Sequence, residues 1–148
     1  MMLLLDTNVV SELRKVEAGK ADANLVAWCK TVAADDLYIS AITVMELEMG
    51  ILRLERKDTV QGEILRSWFG QKVLPEFCDR VLPIDVRVAQ CCAQLHVPDP
   101  KSERDALIAA TALVHGMQLV TRNVLDFAQT GVMLVNPWRI TASTGAGE

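Results

Sequence analysis

Residues 2–8 of the chain read MLLLDTN, so that four apolar residues lead directly into Asp6, Thr7 and Asn8. A strand that is apolar at every position is typical of a parallel sheet that is covered on both faces. An acid directly after such a strand would lie at the carboxyl edge of the sheet, where open α/β folds bind their ligands. Because burial of an unpaired charge is costly, Asp6 is expected to meet a cation, and several such acids together indicate a divalent metal ion.

The rest of the chain alternates short apolar runs with helical patterns. We predict strands at residues 2–5, 37–39, 81–84, 119–121 and 132–135. We predict helical segments at residues 9–15, 24–32, 41–55, 58–77, 86–95 and 103–115. Within the fourth of these, Gly62 and Gly70 are expected to interrupt the helix. Ser40 is a suitable N-cap for the long third helix, and Gly116 is a suitable left-handed C-cap for the last one.

This alternation predicts an α/β fold with a parallel central sheet of about five strands and helices on both faces. The chain has 148 residues, of which 51% are hydrophobic, which is enough for one domain with a sizeable core. We expect that domain to span residues 1–140 and residues 141–148 (TASTGAGE) to form a flexible tail. The first apolar run is too short for a signal peptide or a membrane span, so a cytoplasmic protein without membrane association is expected.

Charge and cysteine content narrow the chemistry further. The net charge of −4 argues against a protein whose whole surface attracts nucleic acid, but it allows a nucleic-acid enzyme whose acids are masked by metal. Cys29, Cys78, Cys91 and Cys92 form no C-x-x-C pair, and the chain has only two histidines. A zinc site is therefore not expected, and the cysteines are predicted to be buried free thiols in a reducing compartment.

Three further acids occur beside apolar runs. Glu46 lies in SAITVMELEMG, next to an apolar helix face, although a solvated helix position explains it equally well. Asp105 opens the helical run DALIAATAL, where favourable interaction with the helix dipole, worth ~0.3–1 kcal/mol, is an alternative explanation. Asp126 lies in LVTRNVLDF and is also explained as an ordinary helix-turn residue. Asn123 is nearer the strand end, and its amide oxygen can bind a metal or a metal-bound water.

Taken together, these positions form a pattern of strand-Asp, helix-Glu, helix-start Asp and strand-Thr-Arg-Asn. In a parallel sheet the carboxyl ends of the first and fourth predicted strands would lie close together. Oxygen ligands without histidine or cysteine suit Mg²⁺ or Mn²⁺. The sequence therefore predicts a magnesium or manganese site at the carboxyl edge of the sheet.

Four stretches, LLLDTNVVSEL, YISAITVMELEMGI, RDALIAATALVHGMQLVTRNVLDF and VNPW, extend from residue 3 to residue 138. In combination they resemble the PIN-domain ribonuclease toxins of the VapC family, and within it the FitB-like branch. The resemblance implies a PIN fold and assigns the family's three metal-binding acids to Asp6, Glu46 and Asp105. The family's fourth acid falls at the position of Asn123 or at Asp126, so this sequence departs from the complete four-acid pattern.

The resemblance also implies a function. The chain would be the toxin of a type II toxin–antitoxin pair and a Mg²⁺- or Mn²⁺-dependent endoribonuclease that hydrolyses RNA phosphodiester bonds with metal-activated water. Thr7, Asn8 and Thr121 match polar residues that support the acids or bind water in the family. Arg104 and Arg122 are possible RNA contacts because each neighbours a predicted site residue. The implied partners are a cognate antitoxin, a second copy in a homodimer or larger assembly, and operator DNA contacted only indirectly through the antitoxin.

Two competing hypotheses predict other behaviour. An aspartyl-phosphate phosphatase also has an acid after its first strand, but its second acid normally stands two residues later, where this chain has Asn8. A non-catalytic PIN module would instead use the acids to hold a basic residue of a partner and would act with an antitoxin in operator DNA binding. A requirement for Mg²⁺ or Mn²⁺ separates catalysis from such binding.

Overall fold

The computed structural model describes residues 1–139, and within them five parallel strands form one central sheet. The strands are β1 (Leu3–Leu5), β2 (Leu37–Ser40), β3 (Val81–Leu82), β4 (Gln118–Val120) and β5 (Leu134–Val135). Their order in the sheet is β3-β2-β1-β4-β5, so β1 is central and the carboxyl ends of β1 and β4 are neighbours. The predicted parallel sheet is confirmed, and the predicted tail at residues 141–148 lies outside the described residues.

The helices occupy the connections between the strands. They are α1 (Thr7–Leu13), α2 (Ala23–Cys29), α3 (Ala41–Lys57), α4 (Thr59–Trp68), α5 (Leu74–Glu76), α6 (Val86–Leu95) and α7 (Glu103–His115). A π-helical stretch at Phe69–Val73 joins α4 to α5. Short 3₁₀ turns occupy Ala34–Asp36 and Val124–Phe127.

Capping explains where the helices nearest the sheet edge begin and end. The Ser40 hydroxyl accepts a hydrogen bond from the Thr43 amide at 3.1 Å, as expected of the predicted N-cap of α3. Gly116 ends α7 with φ of 65°, the predicted left-handed cap. Helix α1 begins two residues earlier than predicted because the Asp6 carboxylate caps it by accepting from the Thr7 amide. Thr7 therefore lies in the first turn of a helix, directly beside the end of β1.

The predicted interruption at Gly62 is wrong. Helix α4 runs through Gly62, which is buried where α4 packs against α3, and a Cβ there would lie 2.7 Å from the Glu55 Cα. The glycine therefore allows two helices to approach closely. The interruption predicted at Gly70 is confirmed, because Gly70 lies within the π-helical stretch.

Both faces of β1 are buried, as the apolar run predicts. Leu3 and Leu5 belong to the core cluster that includes Val10 and Leu25 from α1 and α2. Leu4 points to the opposite face and belongs to the cluster that contains Ile108 from α7. The sheet thus holds the end of β1 rigidly between two packed layers, and Asp6 follows directly from it.

The cysteines are free, but they are not uniformly buried. Cys92 is buried, Cys29 and Cys91 are half-buried, and Cys78 is exposed, so the prediction of a buried thiol is wrong for Cys78. Cys78 lies between α5 and β3, where the chain passes over the surface. Among the described residues, no helix combines the length and the apolar character that crossing a membrane requires.

Candidate active site

Asp6 is buried at the carboxyl end of β1, and only 6% of its surface is exposed. Its backbone amide donates to the Val120 carbonyl at 2.8 Å, which ties the end of β1 to the end of β4. Its carboxylate accepts from the Thr7 amide at 2.8 Å, from the Thr121 hydroxyl at 2.7 Å and from the Asn8 amide group at 3.3 Å. None of these donors carries a positive charge, so the predicted supporting residues hold Asp6 in place without neutralising it.

Burial is the main reason why the pKa of Asp6 lies above its ordinary value. Hydrogen bonds from Thr121 and Thr7 lower this pKa, whereas the negative charges of Glu46 and Asp105 raise it. Three acids predicted from separate parts of the sequence are therefore close enough to repel one another. A cation among them would relieve that repulsion.

Glu46 faces this site from α3. The Thr7 hydroxyl donates to Glu46 Oε1 at 2.6 Å, and Arg104 Nη1 lies 3.5 Å from Glu46 Oε2. The Glu46 side chain is 23% exposed, whereas that of Arg104 is 46% exposed. Glu46 is therefore held by contacts from α1 and α7 and is not the solvated helix residue that the sequence also allowed.

Asp105 lies in the first turn of α7 and is half-buried. Burial raises the pKa of Asp105, and the charges of Asp126 and Glu46 raise it further. Ser102 and Arg104 partly offset this rise in pKa. Its negative charge in the first turn also interacts favourably with the helix dipole. Asp105 is therefore both a member of the acid cluster and a helix-start acid, the two explanations that the sequence offered.

The two candidates for a fourth site residue occupy different positions. Asp126 lies in the 3₁₀ turn at Val124–Phe127, is exposed, and is close enough to affect Asp105 electrostatically. The Asn123 backbone amide donates to the Thr121 hydroxyl at 3.0 Å, and Asn123 lines a cavity together with Asp126. Asp126 therefore adds its charge to the acid cluster, while Asn123 borders the cavity beside it.

The two predicted RNA-contacting arginines differ in their surroundings. Arg104 faces Glu46, as described above. Arg122 lies with its guanidinium carbon 5.3 Å from the centre of the Trp138 ring. Trp138 and Arg139 line the same cavity as Arg122, although neither was predicted as a site residue. Their signal in the sequence is the polar and aromatic stretch NPWR, which directly follows β5.

The fold and this arrangement can be compared with known proteins. A family model described as PIN domain matches residues 3–132. The chain belongs to the PIN-domain family. It is 36% identical over 142 residues to the VapC ribonuclease Y4jK of Sinorhizobium fredii, and the match covers 93% of this chain and 98% of that protein.

A FitB toxin and a FitAB complex extend the comparison. The chain is 36% identical over 143 residues to toxin FitB of Neisseria gonorrhoeae, with 93% of this chain and 99% of that toxin covered. A solved structure of FitAB bound to an IR36 DNA fragment matches with a TM-score of 0.83 and 34% identity, covering 95% of this chain and 98% of that one. The predicted resemblance to PIN-domain toxins of the VapC family, in its FitB-like branch, is confirmed.

The donor chemistry of the acid cluster suits a divalent cation. Asp6, Glu46 and Asp105 offer only carboxylate oxygens, which are the donors that Mg²⁺ and Mn²⁺ prefer. Burial is the largest cause of the raised pKa of Asp6 and of Asp105, and neighbouring acids raise both pKa values further, so a nearby cation would stabilise the ionised forms. Within residues 1–139, no group of three acidic, histidine or cysteine side chains has the spacing that direct coordination of one metal ion requires. The residues therefore fit the cation chemically, and binding would require the carboxylates to turn toward it.

Proposed function

We propose that this PIN domain is the toxin of a toxin–antitoxin pair and that it hydrolyses RNA phosphodiester bonds in a reaction that needs a divalent metal ion. The observation that carries this proposal is the convergence of Asp6, Glu46 and Asp105 at the carboxyl edge of the sheet, where Asp6 is buried and accepts hydrogen bonds only from uncharged donors. Such an acid cluster, which Arg104 neutralises only in part, is costly for the fold alone. Its occurrence in a chain so similar to a VapC ribonuclease supports a catalytic purpose.

In this proposal, carboxylate oxygens of Asp6, Glu46 and Asp105 hold Mg²⁺ or Mn²⁺. When bound, the ion supplies positive charge that offsets the phosphodiester anion and lowers the pKa of water in the site. Asp126 adds a fourth carboxylate beside Asp105, and Asn123 offers a neutral amide oxygen at the cavity border. Whether one or both act is decided by comparing the metal dependence of the two single alanine variants.

Hydrogen bonds from neighbouring groups orient the carboxylates of Asp6 and Glu46. Thr121 and the Thr7 amide fix both oxygens of Asp6, so this carboxylate is the most firmly oriented of the group. The Thr7 hydroxyl fixes one oxygen of Glu46. We assign to Glu46 the orientation of the attacking water, for which it is suited because it is the acid that faces the site from α3.

Arg104 has two roles in this scheme. In the structure it faces Glu46, where it partly offsets the negative charge of the cluster. Because its side chain is half exposed, it is also able to turn toward an RNA phosphate when a cation takes over that offset. An arginine guanidinium suits such a contact because its planar fork can bind two phosphate oxygens.

The proposed assembly is a toxin–antitoxin complex containing a homodimer of this chain. The similarity to FitAB bound to DNA supports an antitoxin partner and contact with operator DNA through that partner. An apolar cleft of about 240 Å³ between α1 and the π-helical stretch, lined by residues that include Leu13, Trp68 and Phe77, would accept an apolar side chain of the antitoxin. RNA as the substrate supports a cytoplasmic location.

The proposal is tested by incubating the purified, antitoxin-free chain with total cellular RNA in Mg²⁺, in Mn²⁺ and in EDTA. Discrete metal-dependent fragments with 5′-phosphate and 3′-hydroxyl ends are expected if water attacks the phosphorus and the 3′-oxygen leaves, whereas attack by the RNA 2′-hydroxyl would leave 2′,3′-cyclic phosphate ends. Asp6→Asn and Asp105→Asn should abolish them, whereas Asp35→Asn should not. Asp35 is exposed and precedes β2, at the opposite edge of the sheet.

A non-catalytic binding module is the second candidate function. The contact between Arg104 and Glu46 favours it, because it demonstrates that this acid cluster accepts an arginine. In that case the folded wild-type chain leaves RNA intact in both metals, and added Mg²⁺ weakens its complex with a basic peptide by competition. The same samples therefore separate the two functions.

A further inference from the structure

A cavity of about 840 Å³ carries charged side chains of both signs. Its lining includes Asp126, whose negative charge acts on Asp105 of the acid cluster. Arg122, Trp138 and Arg139 line the same cavity. A volume of this size is typical of pockets that hold small molecules or a nucleotide-sized part of a larger ligand.

Arg122 is held in one place on the wall of the cavity. Its guanidinium stacks on Trp138, a cation–π arrangement that restricts the side chain. Its backbone amide donates to Asn8 Oδ1 at 3.3 Å, and its backbone carbonyl accepts from Asn136 Nδ2 at 3.4 Å. The arginine is therefore oriented in advance and loses less conformational freedom on binding than an unsupported surface side chain would.

Trp138 is fixed by a second set of asparagine contacts. Its backbone amide donates to Asn136 Oδ1 at 3.0 Å, and its backbone carbonyl accepts from Asn24 Nδ2 at 2.7 Å. Its half-buried ring also packs against the core cluster that contains Leu25. Asparagine side chains thus join the segments that follow β4 and β5 at the rim of the cavity.

Asp22 also lines the cavity, so the formal charges of two arginines and two aspartates balance there. Its carboxylate, however, accepts from the Asn24 and Leu25 amides at 2.9 and 3.1 Å as the N-cap of α2. The positive end of the α2 dipole partly offsets this negative charge. Arg122 and Arg139 are therefore still able to attract an anion into the cavity.

We propose that this cavity is a subsite for single-stranded RNA in which Arg122 and Arg139 bind a phosphate next to the scissile one. The inference rests on the proposed function, which places the scissile phosphate at the acid cluster. Paired arginine forks match phosphate oxygens, and single strands present both phosphates and unstacked base edges to such a groove. The Asn123 side chain, which lines the same cavity, offers an amide donor and an amide acceptor to a base, so the subsite contributes to the choice of cleavage position.

The test measures binding of a short fluorescein-labelled single-stranded RNA by fluorescence anisotropy over a range of KCl concentrations. Each arginine variant is combined with Asp105→Asn, so that the RNA stays intact. Arg122→Ala and Arg139→Ala should each raise Kd about tenfold, the loss expected for one charge-assisted hydrogen-bonding group. Each should also reduce the slope of log Kd against log salt, and the two substitutions together should reduce it by about 0.7, the value for one phosphate contact in a single strand.

Two further variants make the result specific. Arg122→Lys keeps the charge but loses the fork and the stacking on Trp138, so it should fall between wild type and Arg122→Ala. Arg53→Ala removes an exposed arginine of α3 that does not line the cavity, and it should leave both Kd and the salt slope unchanged. Thermal melting of each variant verifies that it is folded.

Equal losses for Arg53→Ala and the cavity variants would overturn the proposal, because binding would then follow overall charge. So would wild-type RNA affinity in Arg122→Ala and Arg139→Ala, including the case in which they weaken only the antitoxin complex. A wild-type chain that binds RNA through these arginines but never cleaves it would refute the proposed function while leaving the subsite intact. Cleavage by Arg122→Ala with an unchanged KM and unchanged fragments would refute the subsite while leaving the proposed function intact.

Discussion

Replacement of Thr121 by valine tests how the site keeps a buried carboxylate in position. Thr121 is fully buried, and its hydroxyl donates to Asp6 at 2.7 Å while accepting from the Asn123 amide at 3.0 Å. Valine has nearly the same shape but offers neither the donor nor the acceptor. The substitution therefore removes these two hydrogen bonds and a longer one from the Asn8 side-chain amide at 3.5 Å, and it leaves the packing of the surrounding core unchanged.

The cost follows from the charge of Asp6. A hydrogen bond to a charged group contributes about 1.5–3 kcal/mol, and loss of the acceptor for the Asn123 amide adds about 1 kcal/mol. Thr121→Val should therefore lower the free energy of unfolding by about 2.5–4 kcal/mol. Thr121→Ser keeps the hydroxyl and loses one methyl group, which costs about 1 kcal/mol. The serine variant is thus the matched control for packing.

The difference between the two variants should depend on pH. The Thr121 hydrogen bond lowers the pKa of Asp6, so its loss raises that pKa further. The valine substitution lowers the free energy of unfolding most when Asp6 is ionised. This loss of stability becomes smaller as the pH falls and Asp6 takes up a proton in the folded state. Urea denaturation without metal at pH 8 and at pH 5 measures both differences.

The same variants report on activity, because a displaced Asp6 would hold a cation poorly. Loss of such a supporting contact typically lowers metal affinity or turnover about 10–100-fold. Thr121→Ser should retain most of the activity. Equal stability of the valine and serine variants at pH 8, or a gap that widens toward pH 5, would refute this account of how Asp6 is stabilised.

Three further predictions concern the acids and the helix packing. Asp6→Asn should raise the melting temperature of the metal-free chain at pH 8, because the raised pKa of Asp6 means that the wild type loses stability as the pH rises through that value; a lower melting temperature would contradict this. Gly62→Ala should lower the free energy of unfolding, measured in urea, by about 1–3 kcal/mol, because its Cβ would lie 2.7 Å from the backbone of α3. Gly70→Ala is the control, because a Cβ there meets no atom within 4 Å. Equal losses in the two variants would argue against the close contact. Arg104→Ala should reduce the Mg²⁺ concentration for half-maximal cleavage by up to about fivefold. The metal would no longer have to displace the exposed ion pair between Arg104 and Glu46, which contributes up to about 1 kcal/mol. A higher Mg²⁺ requirement would show that the arginine assists metal binding.

The features that could be predicted from the sequence are those encoded within a few neighbouring residues. An apolar run that ends in Asp6 identifies a buried strand and its carboxyl edge without knowledge of the rest of the chain. Ser40 and Gly116 likewise act on the helix next to them, and the structure confirms both caps. The alternation of strands and helices then allowed the sheet to be predicted.

The features that could not be predicted depend on contacts between distant residues. Gly62 looks like a helix breaker until α3 packs against it, and the orientation of Glu46 is determined by Thr7, 39 positions earlier. The stacking of Arg122 on Trp138 joins the segments that follow two different strands. No local pattern encodes such a contact, which is why the cavity beside the acids became visible only in the folded chain.

The central claim is that the acid cluster holds the cation on which RNA hydrolysis depends. It is tested most directly by calorimetric titration of Mn²⁺ into wild type, Asp6→Asn, Asp105→Asn and the control Asp35→Asn, with cleavage of one labelled RNA measured on the same samples. We expect wild type and Asp35→Asn to bind Mn²⁺ and cleave, and the two site variants to lose binding together with more than about 100-fold in rate, beyond the usual effect of a supporting contact. Unchanged Mn²⁺ binding in both site variants, or cleavage that persists without it, would contradict the claim.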